Sequence, residues 1–267
     1  LPPGVPAARA ALEGALLDLW SRSARRPAWS LLRGDNAAPP SRRGVAALLM
    51  GDPEHTVEQG RRAEQRGIRT FKLKVGSPGA LDRELAAAER LRADLGSNVS
   101  LRLDANQSFS VVGARASLAR LSALGLEYIE EPCAPSELPL LAELALPLAL
   151  DESLAGRTAM DVTAGVGALG IRALILKPTL LGGISGCYAW AEAARRIGAQ
   201  VILSHAFEGP IGLTLSAALA LSLGSAAAAH GLDLAGARLE HCDLPIFSGA
   251  HIEPWSEPGF GDWQSAG

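Results

Sequence analysis

Lys72 and Lys74, Asp104 and Asn106, Glu130, Asp151, Lys177, and then Ser204 and His205 each stand at the C-terminal end of a short apolar run. Asp104, Glu130 and Asp151, from three successive runs, make a hard oxygen donor set suited to Mg²⁺, with Mn²⁺ as a substitute. A divalent ion there would offset the repulsion between the carboxylates. Glu131 and Glu152 each adjoin one of these residues; strand alternation lets only one of each pair point inward, and the phase is open by one residue. An ammonium forced beside another cation, and partly desolvated, has its pKa lowered and can act as a base near neutral pH, which is the reading for Lys72 and Lys74. Lys177 comes from a run about four positions further on and would approach a bound substrate from the opposite side. Lysines on both sides of a metal-bound carboxylate suit removal of the proton on the adjacent carbon, because a cation neutralises the resulting enediolate.

Such a site needs a scaffold that brings many strand ends to one place. From Gly44 onward the runs GVAALLM, TFKLKVG, SLRLDANQ, LEYIEEP, PLALDES, ALILKPT, QVILSHAF and AHGLDL alternate with Ala-rich amphipathic segments. This is the pattern of repeated βαβ units and a parallel sheet. Taking Leu73, Leu103, Ile129, Leu150, Leu176 and Leu203 as mid-strand markers, the steps are 30, 26, 21, 26 and 27 residues. Each step holds one strand, one helix and two short loops. Gly67, Gly96, Gly125 and Gly198 follow helical stretches, where a left-handed glycine ends a helix. Eight parallel strands can close into a barrel or stay open; polar residues at nearly every C-terminal end favour the barrel, where those ends meet. Alternation sets Lys72 and Lys74 on one face against Leu73, and Arg102, Asp104 and Asn106 against Leu101 and Leu103.

Bulk properties restrict the alternatives. The 267 residues suffice for one barrel, and 48% hydrophobic with only 4% aromatic content implies a core of Ala, Leu, Val and Ile. A formal charge of −3 supplies no broad field for nucleic acid or an anionic membrane, leaving a small molecule as the expected partner. Cys133, Cys187 and Cys242 are scattered and odd in number, which reads as reduced thiols in a soluble cytoplasmic protein. The start, LPPGVPAARAALEG, lacks the regions of a signal peptide and has no Met, so a segment upstream is expected. One helix is expected in the first forty residues, Ala7 to Ser23. His55, His230, His241 and His251 lie in helical, loop or tail contexts and carry no catalytic expectation.

With these motifs in order, FKLKVG, LRLDANQ, YIEEP, LALDES and LILKPTLLGG, the sequence resembles the enolase superfamily and, within it, the muconate-lactonizing subgroup. The resemblance runs from about Pro6 to Leu234. It implies an α/β fold, a modified TIM barrel (β/α)7β at 41–240. Residues 1–40 would be the remnant of a truncated or missing N-terminal α+β capping domain, and 241–267 a tail packing back on the barrel or that remnant. It implies Mg²⁺ on Asp104, Glu130 and Asp151, the ligand being the first Glu of the Glu-Glu-Pro motif, with Lys74 and Lys177 as acid/base residues. Lys72, Arg102 and Asn106 would line the substrate, as would Ser204, His205, Glu208 and Gly209; Lys72 would hold its carboxylate and lower the pKa of Lys74.

LRLDAN, YIEEPC, LDES and SHAFEGPIGL are most similar to the subgroup's dehydratases that aromatise a cyclohexadiene carboxylate. There Lys74 would be the base and Lys177 a cation over the opposite face. SHAF also resembles the seventh strand of the mandelate racemase group, but that group pairs its His with an Asp where this chain has Lys177, so His205 reads as a pocket or packing residue. Two other readings stand beside the dehydratase. The first is a racemase or epimerase of N-acylamino acids or dipeptides that uses both lysines as bases, against which the last strand lacks an Asp-x-Asp pattern. The second is a non-catalytic truncated barrel, against which all expected ligands and lysines are present.

Overall fold

A computed structural model describes residues 4–35, 37–159, 169–235, 244 and 246–261. Its elements in chain order are α1 (Pro6–Ser23), α2 (Ala28–Arg33), β1 (Arg43–Leu49), α3 (Pro53–Gln65), β2 (Thr70–Lys74), α4 (Leu81–Leu95) and β3 (Ser100–Asp104). There follow α5 (Val111–Ala116), α6 (Leu118–Ala123), β4 (Tyr128–Glu130), a 3-10 helix (Leu138–Leu144), β5 (Leu148–Leu150) and a 3-10 turn (Glu152–Leu154). The remainder is β6 (Ile171–Leu176), α7 (Pro178–Leu181), α8 (Gly183–Ile197), β7 (Gln200–Leu203), α9 (Pro210–Ser222), β8 (Ala229–His230), β9 (Phe247–Ser248) and β10 (His251–Ile252). Each of the eight expected runs contains a strand. Gly67, Gly96, Gly125 and Gly198 all take positive φ, between 58° and 90°, so the chain reverses out of each helix as the sequence implies.

The chain divides into two compact units, with β1 and β6 each contributing residues to both. In the unit of residues 46–174 and 196–199, β1 to β6 pair in sequence order and in parallel, with Ala46 opposite Thr70, Lys74 opposite Asp104, Asp104 opposite Glu130, Glu130 opposite Ala149 and Leu150 opposite Leu174. Phe71, Leu73, Leu101, Leu103 and Ile129 are all buried to 1% exposure or less, as parallel strands covered on both faces require. Gly60 lets α3 approach α4 closely: a Cβ there would lie 2.5 Å from Leu91 Cδ1.

The second unit is built from the described residues of 1–45, 175–195 and 200–267. Ser204 N donates to Leu176 O (2.9 Å), Gly231 N donates to Leu203 O (2.8 Å), and β8 pairs in parallel with the start of β1, Gly44 opposite Ala229. On β1's other side lies an antiparallel hairpin, β9 and β10, with Arg43 opposite Ile252. The almost wholly buried α9 packs against α2, where Arg33 Nη1 and Arg43 Nε donate to the carbonyls of Leu221 and Ala220, both at 3.3 Å. Glu13 of α1 accepts from Ser185 N (3.0 Å) and Ser185 Oγ (2.7 Å), satisfying free donors in the first turn of α8. Trp29 Nε1 donates to Trp255 O (2.9 Å) and Ala28 N to Gly259 O (2.8 Å), which fastens residues 255–259 to α2.

Three features depart from expectation. The Pro- and Arg-rich stretch after α1 contains α2, because Ala28 and Trp29 have a buried surface to cover. The chain after residue 246 adds the β9–β10 hairpin. His230, expected in a helical, loop or tail context, is a fully buried residue of β8 whose Nδ1 accepts the Leu203 N–H at 3.0 Å. Cys133 and Cys187 are free and buried, and burial pushes their thiols up to about 11 and about 12; Cys242 and His241 lie outside the described residues. No helix among the described residues is long and apolar enough to cross a membrane.

Candidate active site

Parallel register in the first unit stacks two rows of side chains. Lys72, Arg102 and Tyr128 form one, and Lys74, Asp104 and Glu130 the next. The ladder continues past the strand ends, where Val75 N donates to Asp104 O (2.9 Å), Ala105 N to Glu130 O (3.0 Å) and Glu131 N to Ala149 O (3.1 Å). The carboxylates therefore sit on paired backbone. Asp104, Glu130 and Asp151 are 2%, 0% and 4% exposed.

Lys72 Nζ donates to Asp104 Oδ2 at 3.0 Å and to the two Glu130 oxygens at 3.1 and 3.2 Å. Burial on its own would lower the pKa of Lys72, but the charges of Glu130, Asp104 and Asp151 outweigh it and hold the ammonium well above its usual range. With no metal between them, the neighbouring carboxylates favour the charged form of Lys72, opposite to the lowering expected beside a cation. Lys74 is 37% exposed, donates to Asn106 Oδ1 (2.6 Å) and lies 3.9 Å from Asp104 Oδ2. Asn106 Nδ2 donates in turn to Glu152 Oε1 at 2.8 Å. Of the two lysines, Lys74 is the one open to a substrate.

The ambiguity between adjacent acids resolves along the same lines. Glu130 faces Lys72, whereas Glu131 accepts from Asp151 N (2.8 Å), Ser153 N (2.7 Å) and Ser153 Oγ (2.8 Å). Asp151 is buried and adds its charge to Lys72, while Glu152 is exposed and bound by Asn106. Asn106, Gln107 and Glu131 all have positive φ, 42°, 62° and 41°, so strained backbone is concentrated at these strand ends.

Arg102 occupies a place that alternation alone did not specify. Its Nε and Nη2 donate to Glu127 (2.8 and 2.9 Å) and its guanidinium lies 4.8 Å from the Tyr128 ring centroid. With 1% exposure and these partners, it braces the row beneath the carboxylates rather than presenting a free fork to a substrate. Sequence reasoning missed Glu127 and Tyr128; an arginine facing inward on a barrel strand was the available signal, since it demands a partner. Burial would raise the Glu127 carboxyl, but the hydrogen bond and charge of Arg102, with the Ser100 hydroxyl, hold it below its usual range. A depressed carboxyl contributes stability above its unfolded pKa of about 4.3 and loses it as pH falls through the folded value. Glu127→Gln is expected to cost about 2 kcal/mol at pH 7, a gap that narrows in acid, measured by urea unfolding at both pH values. An unchanged gap would refute this linkage.

The donor chemistry fits a hard divalent ion: Asp104, Glu130 and Asp151 are three buried carboxylates, two of which share the Lys72 ammonium while the charge of the third also acts on it. As the side chains stand, no group of three or more His, Cys, Asp or Glu among the described residues is arranged to hold a metal, and Lys72 reaches between Asp104 and Glu130. A cation would require that ammonium to draw back.

The second unit carries the remaining expected residues. Lys177 precedes α7 and is half-buried. Ser204 Oγ donates to Gly231 O at 3.3 Å. His205 is 6% exposed, its Nδ1 accepts the Phe207 N–H at 3.2 Å, and its ring meets Phe207 edge to face at 5.2 Å. Glu208 accepts from Thr179 Oγ1 and, at 2.7 Å, from Ala206 N, and Gly209 opens α9.

The family described as Enolase C-terminal domain-like matches residues 55–262. An o-succinylbenzoate synthase from Desulfotalea psychrophila is 34% identical over 216 residues, 78% of this chain and 57% of that protein. An N-succinylamino acid racemase from Thermus thermophilus is 37% identical over 188 residues, 67% of this chain and 47% of that protein. The chain thus spans about half the length of these curated relatives. The solved muconate lactonizing enzyme from Pseudomonas putida is similar with a TM-score of 0.83 and 25% identity, over 98% of this chain and 74% of that one.

Proposed function

Since the chain belongs to the enolase C-terminal domain-like family and has its α/β TIM-barrel fold, we propose that it is an o-succinylbenzoate synthase of menaquinone biosynthesis. The reaction is syn dehydration of 2-succinyl-6-hydroxy-2,4-cyclohexadiene-1-carboxylate to 2-succinylbenzoate. The observation that carries this reading is the buried trio Asp104, Glu130 and Asp151 with the accessible side chain of Lys74 one strand away. Similarity to a synthase over 78% of the chain supports it.

Asp104, Glu130 and Asp151 would hold Mg²⁺, or Mn²⁺ in its place. When bound, the ion supplies neutralisation of the charge that builds on the substrate carboxylate. Lys74, as the neutral amine, takes the proton from the carbon bearing that carboxylate and returns it to the adjacent hydroxyl as that group departs from the same face, so one water is lost and the ring becomes aromatic. Asn106, held by Glu152, fixes where the Lys74 nitrogen lies. With its ammonium drawn back from between Asp104 and Glu130 by the cation, Lys72 would hold the substrate carboxylate, and the resemblance to the family would give Lys177 the part of a cation over the opposite face. The same resemblance would make Ser204, His205, Glu208 and Gly209 substrate-lining residues.

The 37% identity to an N-succinylamino acid racemase favours a second reading, in which both lysines act as bases on a small N-acylamino acid. Both substrates should be offered to the purified protein with Mg²⁺ and with EDTA. Metal-dependent appearance of the aromatic ultraviolet band is the expected result. No aromatic product, with deuterium incorporated at the α-carbon of N-succinylamino acids, would replace the first reading with the second.

A further inference from the structure

We propose that Glu131 is a positioning residue that locks the ends of three strands into one carboxylate cluster. It rests on the reading of Asp104, Glu130 and Asp151 as a cation site. Glu131 is fully buried, follows Glu130 directly, and takes φ of 41°, a left-handed conformation that a residue with a side chain adopts at a cost. That turn sends its side chain away from Lys72 and toward the end of β5. There Oε1 accepts both Asp151 N (2.8 Å) and Ser153 N (2.7 Å), and Oε2 accepts Ser153 Oγ (2.8 Å). Its backbone works in the other direction, with Glu131 O accepting Gln107 N at 2.7 Å and Glu131 N donating to Ala149 O at 3.1 Å. One residue thus ties the segment after Asp104, the segment after Glu130 and the segment carrying Asp151.

With three donors on its two oxygens, Glu131 is engaged as an acceptor and does not compete with Glu130 for a cation. Its effect is on Asp151, whose backbone (φ −129°, ψ −80°) lies outside regular structure and depends on that N–H bond for its place. Groups that orient ligands in this way typically change metal affinity by about 10–100-fold when removed.

The test is Mn²⁺ binding to the metal-stripped full chain, read by electron paramagnetic resonance, with circular dichroism as a check on folding. Glu131→Ala is expected to weaken Mn²⁺ binding by at least about 10-fold. Glu131→Gln, which keeps a carbonyl acceptor for the two N–H groups, should recover most of it. Ser153→Ala removes only the hydroxyl bond and should weaken binding by about 3-fold, which keeps the idea exposed to refutation if Glu131→Ala does not fold. Binding by a folded Glu131→Ala or Ser153→Ala equal to that of the unaltered chain overturns the inference alone. Failure of the unaltered chain to bind Mn²⁺ overturns the cation-site reading and this inference with it.

Discussion

Lys74→Ala is expected to lower turnover by about 1,000-fold or more and to abolish exchange of the substrate's α-proton, while the protein still folds. The side chain is 37% exposed and has one hydrogen bond, to Asn106, and its loss leaves the buried Asp104 still paired with Lys72. Arginine should not restore activity, because a guanidinium stays protonated and cannot accept the proton. Lys177→Ala provides the contrast. In the dehydratase it loses stabilisation of the intermediate yet retains exchange through Lys74. If each replacement abolished exchange from one face of an N-succinylamino acid and spared the other, the one-base assignment would fail and the racemase would take its place. Solvent-deuterium exchange followed by NMR separates the outcomes.

Lys72→Met is expected to reduce stability by about 3–5 kcal/mol, a larger effect on folding than any replacement at Lys74. The ammonium is the shared partner of Asp104 and Glu130, and its removal leaves two carboxylates buried with their attraction gone. Urea unfolding in EDTA measures the loss. Adding Mg²⁺ should stabilise the variant more than the unaltered protein, since the ion supplies positive charge where the lysine did. A loss below about 1 kcal/mol would mean that Lys72 is not the counter-charge its contacts describe.

The two lysines illustrate what could be read from residue order alone. Lys72 and Lys74 share a face by simple alternation, and the strand containing them lies between Gly67 and Gly76, so position and orientation were both legible. Their opposite electrostatic situations were not, because these depend on which carboxylate each nitrogen reaches across the sheet. Glu130 and Glu131 were indistinguishable for a related reason. Alternation presumes extended backbone, and the left-handed turn at Glu131 breaks that premise at the residue in question. The four helix-ending glycines were legible because their conformation is written in one residue type. The α2 helix was not, since six residues carry too little periodicity, and the helix is held by Trp255 and Gly259, more than 220 positions away. The β9–β10 hairpin, only two residues per strand, depends likewise on a distant partner, the start of β1.

That last pairing bears on how the protein comes into being. Between β1 and β6 every strand meets the next one made, and partners there are separated by no more than about thirty residues. Gly44 instead waits for Ala229 and His251. On the ribosome the carboxylate-bearing strands can therefore assemble while synthesis continues, whereas the opening residues of β1 stay unmatched until residues 229 and 251 have been made. Nascent chains halted before residue 229 would leave both sides of that opening segment bare, and those halted between 230 and 251 the side that β10 covers.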